Sequence, residues 1–352
     1  MAIMNDSNAS GSSCLVTGGS GFLGRCLVER LLNKGYEVRV LDVSRHEGLD
    51  PRARFVAGDV RDPHAVERAV EGVGTVFHTA VLMCFVRVAS RATRQLVFDV
   101  NVRGTQNVLD ACRKHNVGKL VYTSSNNVAL HRPIRDGDER VPYTAQPIDL
   151  YTETKVLAEQ LVLAAGRRGE LRACALRPGG IWGPYAGCYM LDNVLNMLAK
   201  NAFVVRVASD CIADNTHVQN LVDAQLLAGD ALRDKPELVS GQAYFVTDEE
   251  PMNPLEWFRP LVEALGYTMP ERSIPAWPMH AVGWMMEWLY RFGGPRPAIT
   301  RSLLVKSTRT HTFKIDKARQ QLGYEPRIKS REGLLACVPY AESYLAKARA
   351  QR

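Results

Sequence analysis

The chain has 352 residues, 46% hydrophobic and 23% charged, which suits one large α/β domain with a smaller lobe and argues against a disordered chain. Against 37 Asp and Glu stand 44 Lys and Arg, a net charge of +7, but the cations form no aromatic-interleaved stripe, which argues against nucleic acid as a partner. Eight cysteines lie without CxxC or Cys/His ligand spacing, so neither zinc nor a disulfide framework is implied and free thiols in a reducing compartment are expected. Residues 1–13 are small and polar, with neither a basic start nor an apolar stretch, and read as a disordered leader of a cytoplasmic protein.

The first element is a strand, Cys14-Leu15-Val16-Thr17, which runs into Gly18-Gly19-Ser20-Gly21-Phe22-Leu23-Gly24. A helix follows, with Cys26, Leu27, Leu31 and Leu32 at helical spacing. Glycines at 18, 21 and 24 let the backbone turn sharply, approach a pyrophosphate and pack helix on strand, while the helix N-terminus faces the phosphates. GxxGxxG alone is a weak signal. It gains weight from the strand Glu37–Asp42, which ends on a carboxylate 18 residues after Gly24, close to the ~20 expected for an acid on a dinucleotide ribose. Asp42 would repel a 2′-phosphate and so favours NAD, while Arg45 keeps NADP open.

The strand from Arg54 leads to Gly58-Asp59-Val60. Asp59 reads equally as an adenine contact and as the cap of a helix beginning near Pro63, for which Asp62 is better placed. The run Thr75–Ala80 ends in small residues that let a ribose approach, and a helix from about Leu96 carries Asn101. Strand Lys119–Ser125 brings hydroxyls to its carboxyl end, where ligands bind in an open parallel sheet; Ser124 and Ser125 read either as helix caps or as groups for an alcohol or carbonyl oxygen.

Tyr151 and Lys155, four apart, project as neighbours from one helix face. A phenol titrates near pH ~10, so a tyrosine acting as base at neutral pH needs roughly 3 units of help, about 4 kcal/mol. A fixed ammonium beside it supplies that help. By itself YxxxK is far more often an aromatic beside a solvated lysine; the dinucleotide signals around it change the balance.

The strand Arg172–Pro178 runs into Gly179–Pro184, beyond which the βα rhythm breaks down. Asp214–Ala228 reads as a strand edge and helix, Ala243–Asp248 as a strand, and Pro254–Gly266 as an amphipathic helix. The expected organisation is an α/β Rossmann core over 14–180, a doubly wound parallel sheet holding the catalytic residues. A smaller α+β substrate lobe over 181–352 sends segments back to it. In the helix Pro278–Phe292, Trp284, Met285, Met286, Trp288, Leu289 and Phe292 crowd together. The favoured reading is a lid over the substrate pocket or core packing, and the second is a membrane-facing surface.

Taken together, TGGSGFLG (17–24), Asp42, GDV (58–60), HTA (78–80), NVRGT (101–105), YTSS (122–125), YTETK (151–155) and RPGGIWGP (177–184) resemble the extended short-chain dehydrogenase/reductase superfamily. More narrowly, SCLVTGGSGFLG, PIDLYTETK, GQAYFVTDEEP (241–251) and LGYEP (322–326) resemble its 3β-hydroxysteroid dehydrogenase branch, which includes sterol-4-carboxylate 3-dehydrogenases. The resemblance implies that Ser125, Tyr151 and Lys155 are catalytic. It implies cofactor contacts at Gly18, Gly21, Phe22, Leu23, Gly24, Asp42, Asp59, Val60, Ala80, Asn101 and Pro178, with Tyr151 and Lys155 also touching the cofactor.

The expected reaction is NAD-dependent oxidation of a steroid or sterol 3β-hydroxyl to the 3-ketone. A 4-carboxylate on the substrate would then leave as CO2 from the β-keto acid. Relatives that also isomerise a Δ5-3-ketosteroid carry acids after a Tyr-rich strand, where this chain has Tyr244, Asp248, Glu249 and Glu250; a solvated acidic turn is an equal reading. A sugar-nucleotide epimerase, a carbonyl reductase and a non-catalytic dinucleotide sensor are the competing functions. Peripheral membrane contact and a homodimer are compatible with all of them.

Overall fold

Short runs of β-branched and aliphatic residues, each followed by a helical repeat, build a seven-stranded parallel sheet. Its strands are β1 (Ser13–Thr17), β2 (Glu37–Asp42), β3 (Arg54–Ala57), β4 (Thr75–His78), β5 (Lys119–Thr123), β6 (Arg172–Pro178) and β7 (Ala243–Val246). They lie in the order β7-β6-β5-β4-β1-β2-β3, so the winding reverses between β1 and β4. The computed structural model describes residues 13–130, 132–295, 297 and 299–350. Except for Ser13, where β1 begins, the expected leader lies outside them.

Alternation along β1 sends Leu15 to one face and Val16 to the other, and each face is covered. On the Val16 side pack α1 (Phe22–Asn33) and α5 (Val218–Asp234), through Leu27, Leu31, Leu221 and Val222. On the Leu15 side pack α2 (Pro63–Val70), α3 (Gly104–Lys114) and α4 (Leu150–Arg167), through Val66, Val108 and Val162. Asp62 caps α2 by accepting from His64 N, with Pro63 in the first turn. Asn101 sits in a π-helical turn, Asp99–Arg103, between the helix Arg91–Phe98 and α3; the helix expected from about Leu96 starts earlier, behind the Ser90 cap.

The sheet does not stop at residue 180: β7 and α5 both come from the later half of the chain. The smaller lobe has its own core of Trp182, Leu191, Leu195, Trp257, Leu261 and Leu334. Asp248 ties this lobe to the sheet. Its buried carboxylate accepts from His217 N (2.8 and 2.9 Å to the two oxygens), Trp182 Nε1 (2.8 Å) and Asn220 Nδ2 (2.7 Å). Beside it Tyr244 donates to Gln321 Oε1 at 2.8 Å, Glu249 pairs with Arg319 at 2.6 Å, and Glu250 accepts from Ser330 N at 2.5 Å. The acidic stretch thus has structural donors on its oxygens, Asp248 buried in the joint and Glu249 exposed beside Arg319.

The tryptophan-rich stretch forms α6 (Ala276–Arg291), followed by α7 (Arg301–Thr308). The core-packing expectation fails here, because Trp277, Trp284, Met285, Trp288, Leu289 and Phe292 face outward, Trp277 being 76% exposed. The buried positions of α6 are Gly283 and Glu287, the latter bound by Arg301 at 2.8 Å. Periodicity marks an apolar stripe but not the direction it faces, and the Glu287–Arg301 pair turns the polar side inward.

Asp248→Ala leaves three buried donors unmet and should lower stability by roughly 3 kcal/mol. Urea unfolding should show a lower midpoint with an unchanged slope, with Asp248→Asn in between.

Candidate active site

Parallel strands place all their carboxyl ends on one edge, and the singled-out residues gather there from β1, β2, β3, β4, β5 and β6. At the crevice between β1 and β4, Gly18 adopts φ +71°, and a Cβ there would lie 2.7 Å from Ala80 Cα. A Cβ on Gly24 would run into the Gly18 carbonyl. These two positions thus leave the turn bare of side chains where α1 begins, a cradle that fits a dinucleotide pyrophosphate. Gly21 N donates back to Gly18 O at 3.0 Å, while Phe22 and Leu23 open α1 with Leu23 buried and Phe22 packed 6.4 Å from Tyr185.

Behind the crevice His78 braces the two strand ends. Thr105 Oγ1 donates to Asn101 O, so it accepts from His78 Nε2 at 2.9 Å, and Thr17 Oγ1 meets His78 Nδ1 at 2.7 Å. Burial lowers the His78 pKa to about 3, with the Lys155 charge adding to the effect, so the ring is a neutral brace.

At the end of β2, Asp42 accepts from Ser20 N (3.0 Å) and Val43 N (2.8 Å), locking its carboxylate beside the glycine turn. Asp59 is paired with Arg61 at 2.6 Å, leaving the capping of α2 to Asp62. The Val60 side chain is buried in the core and its carbonyl accepts from Asn107. Asn101 accepts from Leu82 N (2.8 Å) and donates to Leu82 O (3.0 Å) and Thr154 Oγ1 (2.9 Å), pinning the loop after β4 to α4. Pro178 ends β6, in register with Val246.

Ser125, Tyr151 and Lys155 come together where the tip of β5 faces α4. Asp149 caps that helix by accepting from Thr152 N at 2.7 Å. Ser125 accepts from Asn127 N at 3.2 Å, and its hydroxyl also acts on the Tyr151 phenol, so it is both cap and site group. Lys155 donates to Thr123 O (2.6 Å) and Tyr122 OH (3.2 Å), with its nitrogen 5.8 Å from the Tyr151 ring centre. Burial lowers the Lys155 pKa to about 7, opposed by the Glu159 carboxylate. Burial also dominates Tyr151 and raises its pKa; Ser125 pulls it down and Asp149 pushes it up. The help expected from Lys155 is thus not what governs the phenol here.

Sequence reasoning passed over Glu159, one turn beyond Lys155 on the same face and fully buried. It accepts from Ser124 Oγ, from Tyr143 OH at 2.7 Å, and from Arg177 Nη2 at 2.6 Å. The available signal was its spacing, since 151, 155 and 159 recur every four residues on a helix that otherwise buries apolar side chains on that side. Phe85, equally unremarked, sets its ring edge-on to Tyr151 at 5.2 Å.

The model of the 3-beta hydroxysteroid dehydrogenase/isomerase family matches residues 15–276. Short-chain dehydrogenase/reductase family 42E member 1 of Xenopus laevis is 37% identical over 339 residues, covering 92% of this chain and 87% of that protein. The 3 beta-hydroxysteroid dehydrogenase/Delta 5-->4-isomerase of Mycobacterium tuberculosis is 39% identical over 337 residues, covering 93% and 89%. Among solved structures, gox2253 superposes with a TM-score of 0.76 at 26% identity over 95% of this chain and 98% of that one. The NAD complex of Thermus thermophilus UDP-glucose 4-epimerase gives 0.70 at 24% identity over 94% and 99%, a likeness of fold alone.

The Lys155 shift predicts a pH signature. Its folded pKa of about 7 lies below the unfolded value near ~10.4, so burial of the charged form destabilises most at low pH and is relieved as pH rises between them. Relative to Lys155→Met, the native chain should gain stability from pH ~7 towards ~10, by at most about 1.4 kcal/mol per unit, in paired urea titrations.

Proposed function

The chain belongs to the 3-beta hydroxysteroid dehydrogenase/isomerase family, and from that premise we infer that it oxidises the 3β-hydroxyl of a steroid or sterol to the 3-ketone. NAD is the proposed cofactor, favoured over NADP by Asp42, whose carboxylate stands beside the glycine turn where a 2′-phosphate would be repelled. The observation that carries the reading is the convergence of Ser125, Tyr151 and Lys155 where the tip of β5 meets α4. A dinucleotide sensor needs no such triad, and the epimerase likeness is one of fold only.

In this mechanism the substrate hydroxyl lies between Ser125 and Tyr151. Ser125 orients the oxygen, and Tyr151 takes its proton as the C3–H bond breaks. Bound nicotinamide supplies the acceptor for the hydride. Lys155, anchored on Thr123 O, brings positive charge to the same pocket, and Asn101 and Thr154 hold α4 against the loop after β4. Gly18, Gly21, Phe22, Leu23, Gly24, Asp59, Val60, Ala80 and Pro178 remain the proposed cofactor contacts, Val60 through its backbone because its side chain is in the core. The proposal is made for the oxidation step, and Asp248, Glu249 and Glu250 accept from structural partners at the joint between sheet and smaller lobe.

No helix among the described residues is long and apolar enough to cross a membrane. We propose instead that α6 rests on a lipid surface. Its outward stripe, Trp277, Ala281, Trp284, Trp288 and Phe292, spans the whole helix, and its acid, Glu287, is buried against Arg301 while Arg291 is exposed. Indoles and a cation on one exposed side suit the headgroup boundary of an anionic bilayer.

Two measurements follow. Tyr151→Phe should lose about 10³-fold or more in turnover of a 3β-hydroxysteroid, followed by absorbance of reduced cofactor, while NADH affinity changes by no more than about twofold; substantial turnover would sink the mechanism. Trp284→Ser with Trp288→Ser should abolish cosedimentation with anionic liposomes and leave the unfolding midpoint nearly unchanged. Undiminished liposome binding would remove α6 as the contact.

A further inference from the structure

We propose that Glu159 is a positioning residue for the dehydrogenation: its carboxylate, fixed one helical turn beyond Lys155, keeps the Lys155 ammonium charged and thereby sets the alkaline limit of turnover. The inference rests on the oxidoreductase reading above and deepens it, giving a task to a residue outside the Ser125–Tyr151–Lys155 group. It begins with spacing. Positions 155 and 159 share one face of α4, and both side chains are buried. The tip of β5 repeats the pairing: Thr123 O takes Lys155 Nζ at 2.6 Å, and the next residue, Ser124, donates to Glu159. An ammonium and a carboxylate are thus held against two consecutive residues of one strand.

The carboxylate is a fixed anion. It accepts from Ser124 Oγ, from Tyr143 OH (2.7 Å), and from Arg177 Nε (3.1 and 3.2 Å) and Nη2 (2.6 Å), so every polar contact it makes is with a donor, as an ionised carboxyl requires. Those donors keep it from drawing Lys155 into a direct ion pair. Lys155 Nζ stays on Thr123 O and Tyr122 OH (3.2 Å) and feels Glu159 through its field. Two neutral oxygens compensate a buried ammonium poorly. Burial accordingly lowers the Lys155 pKa to about 7, and the Glu159 charge is what keeps it from falling further.

The other groups around Lys155 do not supply this charge. His78, from β4, is neutral, and Tyr122, from β5, is a phenol whose pKa burial raises well above its ordinary value. Tyr143, before α4, and Tyr151, on it, are likewise raised, chiefly by burial. Arg177, from β6, is a cation engaged by Glu159, its guanidinium over the Tyr143 and Phe245 rings at 5.3 and 5.2 Å. Asp149, at the start of the helix, acts on Lys306 of α7 and on Tyr151. Glu153 turns outward to Arg94 at 2.6 Å. Glu159 is therefore the anion that answers Lys155, and losing its charge lets the ammonium give up its proton at lower pH. Once neutral, Lys155 brings no positive charge to the pocket where Tyr151 takes the substrate proton.

The test is the pH profile of kcat for a 3β-hydroxysteroid with NAD, alongside an NMR titration of isotope-labelled lysine side chains in which the Lys155 signal is the one absent from Lys155→Met. Glu159→Gln keeps the shape, and it should move both the alkaline limb and the Lys155 titration down by about one pH unit or more. Glu159→Asp keeps the charge and should leave both near their native positions even where turnover falls. If Glu159→Gln does not fold, Glu159→Gln combined with Arg177→Met removes the buried pair together and is read the same way. A limb or a titration that stays in place without the charge, or that moves equally in the Asp and Gln variants, overturns the role. No turnover of a 3β-hydroxysteroid by the native chain at any pH overturns the oxidoreductase reading, with the NMR titration still reporting whether Glu159 governs Lys155.

Discussion

The Glu159 carboxylate is the point on which the active edge depends. Through Ser124, Tyr143 and Arg177 it joins the tip of β5, the segment before α4 and strand β6 to the helix that carries Tyr151 and Lys155. A pair this deeply buried adds little net stability by itself, since desolvation offsets most of the attraction, but losing one partner typically costs about 3–5 kcal/mol. Its contribution to the fold is geometric. Thr123 and Ser124 are consecutive and engage Lys155 and Glu159 in turn, with Ser125 next, so the strand tip and the helix can meet in one register.

Much of this was legible in the sequence because glycine spacing, strand-end acids and the YxxxK pair are local patterns that one periodicity places on one element. Gly18, Asp42, Ser125, Tyr151 and Lys155 all fall at the carboxyl edge, as a parallel sheet requires. Asp248 was not legible in its true role, because its partners Trp182, His217 and Asn220 come from distant parts of the chain.

The tryptophan-rich helix teaches a related lesson. A hydrophobic stripe fixes which residues stand together, and a single buried carboxylate can decide whether they face protein or surroundings. Glu287 does so by pairing with Arg301, against the ordinary expectation that indoles are the buried partners.

The late origin of β7 bears on how the chain is made. This edge strand pairs with β6, and its Phe245 N–H is covered by Glu139 while the Phe245 ring stacks on Phe313 at 4.1 Å. During synthesis every residue of the Ser125–Tyr151–Lys155 group emerges long before that cover exists. In the interval β6 presents an unpaired, apolar edge, the kind of surface that recruits strands from neighbouring chains. A nascent chain stalled between residues 180 and 243 would thus hold its whole catalytic group while still open to aggregation, which makes the second half of translation the interval in which a chaperone matters most.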